Sequence, residues 1–226
     1  MNQIKARVIA ITQPVEGVDI PDSEGVVGYC ARVSAPQNQG NFATSGGLLK
    51  YCARNNHWSV FEMATAIVEV EAPRDITRQI LRHRSGSFQE FSQRYAEVES
   101  GSFIIRECRL QDEKNRQNSI GLDWAGFEEG CAIQHAWDKA HEEVIRVALG
   151  HYKKLRRMGV AKECARVFLP EGLTMSRMYI SMNLRSWLHY LQVRKGNGTQ
   201  KEHIEAATCI SEALFPYYQN ILGVNK

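Results

Sequence analysis

The chain has 226 residues, of which 43% are hydrophobic and 23% are charged, and its formal net charge is +3. This composition is that of an ordinary soluble globular protein, and so small a charge does not imply a general nucleic-acid or membrane-surface binder. No apolar run reaches the ~18 residues that a membrane span needs.

The first part of the chain predicts one strand and two helices. Residues 6–12 alternate weakly between apolar and polar side chains, which indicates a strand. A loop containing Pro14, Gly17 and Pro21 follows. Helical patterns then lie around residues 25–33 and 45–54.

A second strand and a third helix lead into a very polar stretch. Residues 63–71 carry alanine or valine at every second position, which indicates a strand with one buried face. Pro73 then opens a helix with its fixed φ angle. We expect this helix to end at Arg84, because Ser85-Gly86-Ser87 is turn material.

The middle of the chain is dominated by one long helix. Residues 111–119 are polar and predict a solvated loop, although such a loop could also cover a site or an interface. Asp123 is the expected N-cap of a helix that runs towards Met158. An apolar stripe at spacings of three and four marks its buried side, and its histidines are expected at the surface or at its ends. The stripe consists of Ala132, Ala136, Ala140, Val144, Ala148, Tyr152 and Leu155.

Two helices and a strand complete the prediction. A short helix over residues 161–169 carries Arg166, and residues 174–182 favour a strand. Asn183 is the expected N-cap of the next helix, whose buried side includes Trp187. The sequence 199–202 has the pattern of a capping box for a last helix. With no repeat and no linker, we expect a single domain over residues 1–226, of the α+β class, with a central mixed or antiparallel sheet and long flanking helices.

The cysteines are scattered and contain no CxxC pair. This pattern favours reduced, mostly buried thiols in the cytoplasm over disulfides or a metal site. The six are Cys30, Cys52, Cys108, Cys131, Cys164 and Cys209.

The densest polar stretch is residues 82–95, RHRSGSFQEFSQRY. Its arginines, histidine, hydroxyls and single carboxylate crowd a helix end and the loop after it. Arginine's planar fork matches phosphate in two-point contacts, so the stretch predicts an anion site able to recognise a base and a sugar as well. Arg166, Arg185 and Arg194 are candidates to converge on it, although Arg166 and Arg185 taken alone are better explained as surface charges.

Other kinds of nucleotide or catalytic site are disfavoured. Neither GxGxxG nor GxxxxGK[ST] occurs, which excludes the Rossmann and P-loop modes of binding. Ser92 lies in no GxSxG elbow, so a hydroxyl that binds substrate is favoured over a nucleophile.

The motif resembles the signature of flavin-dependent thymidylate synthases. In that family Arg-His-Arg is followed after seven residues by serine, as Arg82-His83-Arg84 is followed here by Ser92. Similar family segments are ARVS at residues 31–34, HWSVFE at 57–62, ARVFLP at 165–170 and NLRSWLHY at 183–190. Two residues depart from the family pattern: Gln89 stands where many members have asparagine, and His189 stands where some members have asparagine.

This resemblance implies a reaction and a set of ligands. It implies that dUMP is reductively methylated to dTMP, with methylenetetrahydrofolate as carbon donor and NADPH-reduced FAD as hydride source, and that no cysteine nucleophile takes part. It also implies a homotetramer whose active sites are shared between subunits. The implied FAD residues are Ser34, His57, Arg82, His83, Arg84, Glu90, Asn183, Arg185 and His189. The implied dUMP residues are Gln79, Arg82, Glu90, Ser92, Arg94, Arg166 and Arg194.

Arg194 is the expected catalytic residue. The uracil C5 must become electron-rich, and a fixed cation beside the uracil carbonyls stabilises the negative charge that this requires. His57 and His189 are expected to position flavin or folate.

Two other functions remain open at this point. A single-strand RNA-binding module could use Phe88, Phe91 and Tyr95 as stacking rings, although the modest charge speaks against it. A nucleotide hydrolase would need clustered carboxylates for Mg²⁺, and the motif offers one, Glu90.

Overall fold

The computed structural model describes residues 4–196 and 198–223. The described residues form strands β1 (Lys5–Ile11), β2 (Thr65–Pro73), β3 (Ser87–Glu90), β4 (Leu110–Gln111), β5 (Ser119–Ile120) and β6 (Met175–Asn183). Their α-helices are α1 (Ser23–Ala31), α2 (Ser45–Arg54), α3 (Arg74–Ile80), α4 (Phe127–Arg157), α5 (Lys162–Ala165), α6 (Leu184–Arg194), α7 (Lys201–Leu214) and α8 (Gln219–Leu222).

A four-stranded antiparallel sheet with the order β1-β2-β6-β3 organises the fold. The two central strands pair along their full length, from Thr65 opposite Asn183 to Pro73 opposite Met175. The small apolar residues of β2 all face the core, as their alternation predicts. With helices gathered against this sheet, the prediction of an α+β fold is confirmed.

The main core lies between the sheet and helices α3, α6 and α7. Trp187 and Tyr190 of α6, Ile76 of α3 and Ile210 of α7 are fully buried in it. Trp187 also donates its indole N–H to the Ala66 carbonyl, at 3.2 Å, which fixes α6 against β2. The helix that carries Arg185, His189 and Arg194 is therefore fixed against the sheet.

A smaller apolar cluster joins the long helix to the rest. It contains Val98, Tyr152, Ala165 and Leu169. Among the described residues, no helix is both long enough and apolar enough to cross a bilayer.

The predicted end of α3 is wrong by four residues. The helix ends at Ile80, and the amides of Arg82 and His83 close tight turns onto Gln79 and Ile80. The chain must reverse here because residues 87–90 form β3, which pairs with β6 and was not predicted from its polar sequence. Tertiary strand pairing has overridden the local helical pattern.

The N-caps predicted for the long helix and for the helix after residue 199 are also wrong. Asp123 lies in a 3₁₀ turn, and the N-cap of α4 is Gly126, whose φ of 81° suits glycine. The 199–202 segment forms no capping box, because the N-cap is Gln200, whose side chain makes no capping bond, and the Thr199 hydroxyl donates to the Val193 carbonyl. The end of α4 near Met158 is as predicted: the helix ends at Arg157, and Gly159 follows with a φ of 86°.

Three burial predictions need correction as well. His141 is buried, not at the surface, and its Nδ1 lies 3.0 Å from the Trp137 carbonyl oxygen. None of the six cysteines, all of which are described, forms a disulfide, but only Cys52 and Cys108 are buried, whereas Cys131 and Cys164 are exposed. The first half of the apolar stripe on α4, from Ala132 to Val144, is exposed in the single chain.

Candidate active site

The basic end of the motif meets the C-terminal end of α6. Arg194 donates its Nε–H to His83 Nε2 at 2.7 Å, across 111 positions of sequence. The His83 ring also contacts the edge of Tyr190, with 4.8 Å between ring centroids. Tight turns after α3 and the rigid packing of α6 bring these side chains together.

His83 accepts this hydrogen bond as a neutral imidazole. Burial, then the charge of Arg194 and then that of His189, lower its pKa from the ordinary 6.5 to about 4. Within the described residues, the terminal nitrogens of Arg194 make no hydrogen bond or ion pair. One edge of the guanidinium is thus held while its outer N–H groups stay available to a ligand.

A cavity of about 480 Å³ opens at the N-terminal half of α6. Asn183 caps that helix by accepting the Ser186 N–H at 2.9 Å, as predicted. Arg185 is paired with Glu62 across the cavity wall. The lining residues are Trp58, Glu62, Ser85, Asn183, Arg185, Ser186, His189 and Gln192.

The other residues assigned to FAD by resemblance lie outside this lining. Arg82 and Arg84 are exposed on either side of His83, and among described residues their side chains make no hydrogen bond or ion pair. His57 is exposed beside Trp58, with its ring 5.7 Å from that of Tyr51, and Ser34 is exposed after α1.

The distal end of the motif lies elsewhere in the chain. In the β3–β6 pairing, Ser87 is opposite Ser181 and Glu90 is opposite Met178, so Glu90 lies farther than Ser87 from the end of β6 that leads into α6. Its carboxylate accepts hydrogen bonds from the side chains of Thr77, Ser176 and Arg78, at 2.9, 2.8 and 2.6 Å.

The remaining dUMP candidates lie near this distal end. Arg94 forms an ion pair with Glu163 of α5 at 3.4 Å, and the Ser92 hydroxyl accepts the Arg94 backbone N–H. Arg166 follows α5 and is half-buried. Within one chain the candidate residues therefore form two groups, a proximal cluster around His83, Arg194 and the cavity, and a distal cluster of Glu90, Ser92, Arg94 and Arg166.

The side chain of Gln79 is held by two residues that the sequence does not single out, Gln200 and His203. Its amide nitrogen donates to Gln200 Oε1 at 2.7 Å, and its oxygen lies 3.1 Å from His203 Nδ1. A lone histidine on the buried side of α7 gives no sequence signal that separates it from an ordinary core residue. Tyr190, by contrast, could have been found from its helical spacing to Trp187.

Taken together, the two clusters suit an anionic, aromatic ligand. Guanidinium groups available at Arg82, Arg84 and Arg194 match phosphates and carbonyl oxygens. Neutral imidazoles and amides supply donors and acceptors of fixed polarity. Among the described residues no group of acidic, histidine or cysteine side chains could hold a metal ion, so the hydrolase alternative lacks its expected ligand set.

Comparisons with known proteins agree on one family. Residues 18–216 match the family model described as thymidylate synthase complementing protein. A probable flavin-dependent thymidylate synthase of Paramecium bursaria Chlorella virus 1 is 43% identical over 219 residues, covering 96% of this chain and 97% of that protein. A flavin-dependent thymidylate synthase of Synechocystis sp. is 38% identical over 224 residues, covering 95% and 96%.

The fold also matches a solved structure. The UMP/dUMP methylase PolB of Streptomyces cacaoi, bound to 5-Br dUMP, superposes with a TM-score of 0.79 and covers 98% of this chain and 93% of its own. Its sequence is 24% identical to this chain, so the similarity concerns the fold.

Proposed function

The chain belongs to the family of flavin-dependent thymidylate synthases, and we propose that residues 1–226 act as one catalytic domain in which Arg194 activates the pyrimidine. The reaction is the reductive methylation of dUMP to dTMP. One observation carries the assignment of the site: the hydrogen bond that joins His83 of the motif to Arg194 of α6, beside the cavity.

The cavity fits part of a flavin nucleotide. Trp58 offers a planar apolar wall, while Ser85, Asn183 and His189 offer hydrogen-bonding groups and Arg185 a cation for phosphate. Arg82 and Arg84 flank it as exposed cations, and Ser34 and His57 would close it from outside the lining. The chemistry that FAD supplies when bound, after reduction by NADPH, is a hydride, and methylenetetrahydrofolate supplies the carbon.

Arg194 is suited to activate the pyrimidine. Its Nε is held by neutral His83, so the guanidinium cannot turn away from the ligand. The outer N–H groups then face the uracil carbonyls as a fixed positive charge. Such preorganised stabilisation of developing negative charge is worth ~3–4 kcal/mol in comparable sites, and it makes C5 the nucleophile.

The distal cluster would bind the nucleotide of a neighbouring subunit. Within one chain Glu90 lies away from the cavity, and Ser92, Arg94 and Arg166 lie near α5. We therefore propose a homotetramer in which the proximal cluster of one subunit faces the distal cluster of another. The exposed apolar side of α4 supports this arrangement, because Val144 and Val147 are 45% and 41% exposed in the isolated chain.

The cysteines favour a route without a thiolate. Burial raises the pKa of the thiols of Cys52, Cys108 and Cys209, which is the opposite of activation. No described cysteine lines the cavity. Six described cysteines without a disulfide also support the proposed cytoplasmic location.

Tritium release from C5-labelled dUMP tests the whole proposal. We expect tritium release to require FAD and NADPH, and dTMP formation to require methylenetetrahydrofolate as well. The purified protein should also show flavin absorbance, or take up added FAD. A protein that binds no FAD and releases no tritium, but binds oligonucleotides with a steep salt dependence, would instead support the RNA-binding alternative.

A further inference from the structure

The side chain of Gln79 is fixed from both sides by a chain of hydrogen bonds, the amide network, which consists of Glu202, Gln200, Gln79 and His203. Gln200 donates to Glu202 Oε2 at 2.9 Å, and Gln79 donates to Gln200 Oε1 at 2.7 Å. The Gln79 oxygen in turn lies 3.1 Å from His203 Nδ1. The network spans α3 and the start of α7.

The direction of every bond in the network is set at its Glu202 end. A carboxylate can only accept hydrogen bonds, so Gln200 must present its NH₂ to Glu202 and its oxygen to Gln79. Gln79 must then present its NH₂ to Gln200 and its oxygen to His203. His203 is therefore the Nδ1–H tautomer, with a bare Nε2.

Two arginines keep Glu202 ionised. Arg109 donates to its Oε1 at 2.8 Å, and Arg106 lies 3.3 Å from its Oε2. Burial alone would raise the pKa of Glu202, but its backbone N–H, Arg109, Arg106 and Gln200 hold that pKa below the ordinary value. The acceptor that orients the network thus stays an acceptor at neutral pH.

His203 is fully buried and uncharged. Burial, and then the charge of Arg194, lower its pKa to about 3. Among the described residues its Nε2 has no hydrogen-bond partner, and neither has the Tyr190 hydroxyl. The ring centroids of His203 and Tyr190 are 5.9 Å apart. An unpaired buried nitrogen is costly, which sets this histidine apart from a fully satisfied core residue.

We propose that the amide network fixes Gln79 in one orientation, so that Gln200 and His203 act as positioning residues for the pyrimidine nucleotide. Gln79 keeps one free N–H and one free lone pair, and the network determines which of them the ligand meets. A flipped amide would offer a donor where the nucleotide needs an acceptor. This inference rests on the proposed function, since it takes Gln79 to be part of the dUMP site.

Calorimetric titration of the FAD-loaded enzyme with dUMP tests the inference. Gln200→Leu and His203→Leu should each weaken dUMP binding about tenfold, the value of one lost orienting hydrogen bond, and should raise KM more than they lower kcat. His203→Asn, whose side-chain amide N–H can take the place of the Nδ1–H donor, should recover most of the affinity. Gln134→Leu is the matched control, because it removes an amide–carboxylate bond of 2.8 Å on α4.

A double-mutant cycle separates positioning from a purely structural role. In a Gln79→Leu background, Gln200→Leu should weaken dUMP binding no further, because it acts through Gln79. An equal loss in both backgrounds, or no loss in either single variant, would overturn the inference. If the unmodified enzyme itself binds no dUMP, the proposed function fails instead, and the two failures are distinguished by that measurement.

Discussion

At the scale of single residues, the site depends on keeping cations fixed beside neutral acceptors. His83 and His203 are both neutral, and Arg194 lies close enough to lower the pKa of each. A protonated imidazole at either place would repel Arg194 and lose its acceptor. The same interior that makes both histidines poor bases makes neutral His83 a good support for the Arg194 guanidinium.

Replacing Arg194 should separate flavin binding from turnover. Arg194→Ala removes the fixed charge over the pyrimidine but none of the side chains that line the cavity, so FAD absorbance should persist. Tritium release from dUMP should fall by about 10²–10³-fold, as when one preorganised donor is lost elsewhere. Arg146→Ala, at an exposed position of α4, serves as the control. Full activity in Arg194→Ala would remove this residue from the mechanism.

The low pKa values of His83 and His203 predict loss of stability in acid. Both folded-state pKa values, about 4 and about 3, lie below the ordinary 6.5. Between pH 6.5 and 4 the unfolded chain therefore binds more protons, and the free energy of unfolding falls as pH decreases through this window. The stabilisation is fully present above pH 6.5.

Urea unfolding of the apoprotein at pH 5, 6 and 7 measures this slope. The double variant His83→Gln/His203→Gln should be distinctly less sensitive to pH over this range, whereas His135→Gln, on the exposed side of α4, should match the unmodified chain. Glu24 and Glu205, whose pKa values burial raises, act in the opposite direction and are common to all variants. Identical slopes in all three proteins would contradict the assignment.

At the scale of elements, α6 has two tasks that meet at Asn183. The side chain of Asn183 caps the helix, and Asn183 also lines the cavity. The helix N-terminus also carries a partial positive charge that favours a phosphate. Helix stability and the proposed binding of FAD are thus coupled at one position.

Variants of Asn183 can separate these tasks. Asn183→Ala should lower the free energy of unfolding by about 1 kcal/mol and also weaken FAD binding. Asn183→Asp keeps a capping oxygen but places a negative charge in the cavity, so stability should be retained while FAD binding weakens. Asp22→Ala is the matched control, because it removes the cap of α1, a 2.7 Å bond to Gly25, away from the cavity. Wild-type FAD affinity in Asn183→Asp would exclude the residue from the cofactor site.

The elements differ in how well their sequence predicts them. The alternation in β2 and the capping residue of α6 are local signals, and both predictions hold. Strand β3 was not predicted because Ser87–Glu90 is polar, and it exists through its pairing with β6. The capping box before α7 fails for a related reason, since Gln200 is used by Gln79 and Glu202, which are remote or buried partners.

The same limit applies to the candidate site. Resemblance brought His83 and Arg194 into one prediction, and the structure places them in contact. No sequence pattern marks Gln200 or His203, because their role depends on α3 and α7 lying side by side. Both contact Gln79, which lies 121 positions before Gln200 and 124 positions before His203.

At the scale of the whole molecule, the isolated chain leaves too much of α4 uncovered. This helix has 31 residues, yet its buried side chains are few. Trp124 in the turn before it and Phe127 at its first position are 73% and 87% exposed. Exposed apolar surface on this scale marks an interface. A neighbouring subunit would cover it and would bring a distal cluster to the proximal one.

A charge placed on the exposed apolar side of α4 should therefore break both assembly and catalysis. In light scattering after gel filtration, the unmodified protein should have about four times the 25.7 kDa mass of the chain. Val147→Glu buries a charge in the proposed interface, so it should give smaller species and should lose dTMP formation with them. Arg146→Glu adds the same side chain one position away, facing solvent, and should remain a tetramer. A fully active Val147→Glu monomer would show that one chain holds a complete site, and the proposal of shared active sites would then be wrong.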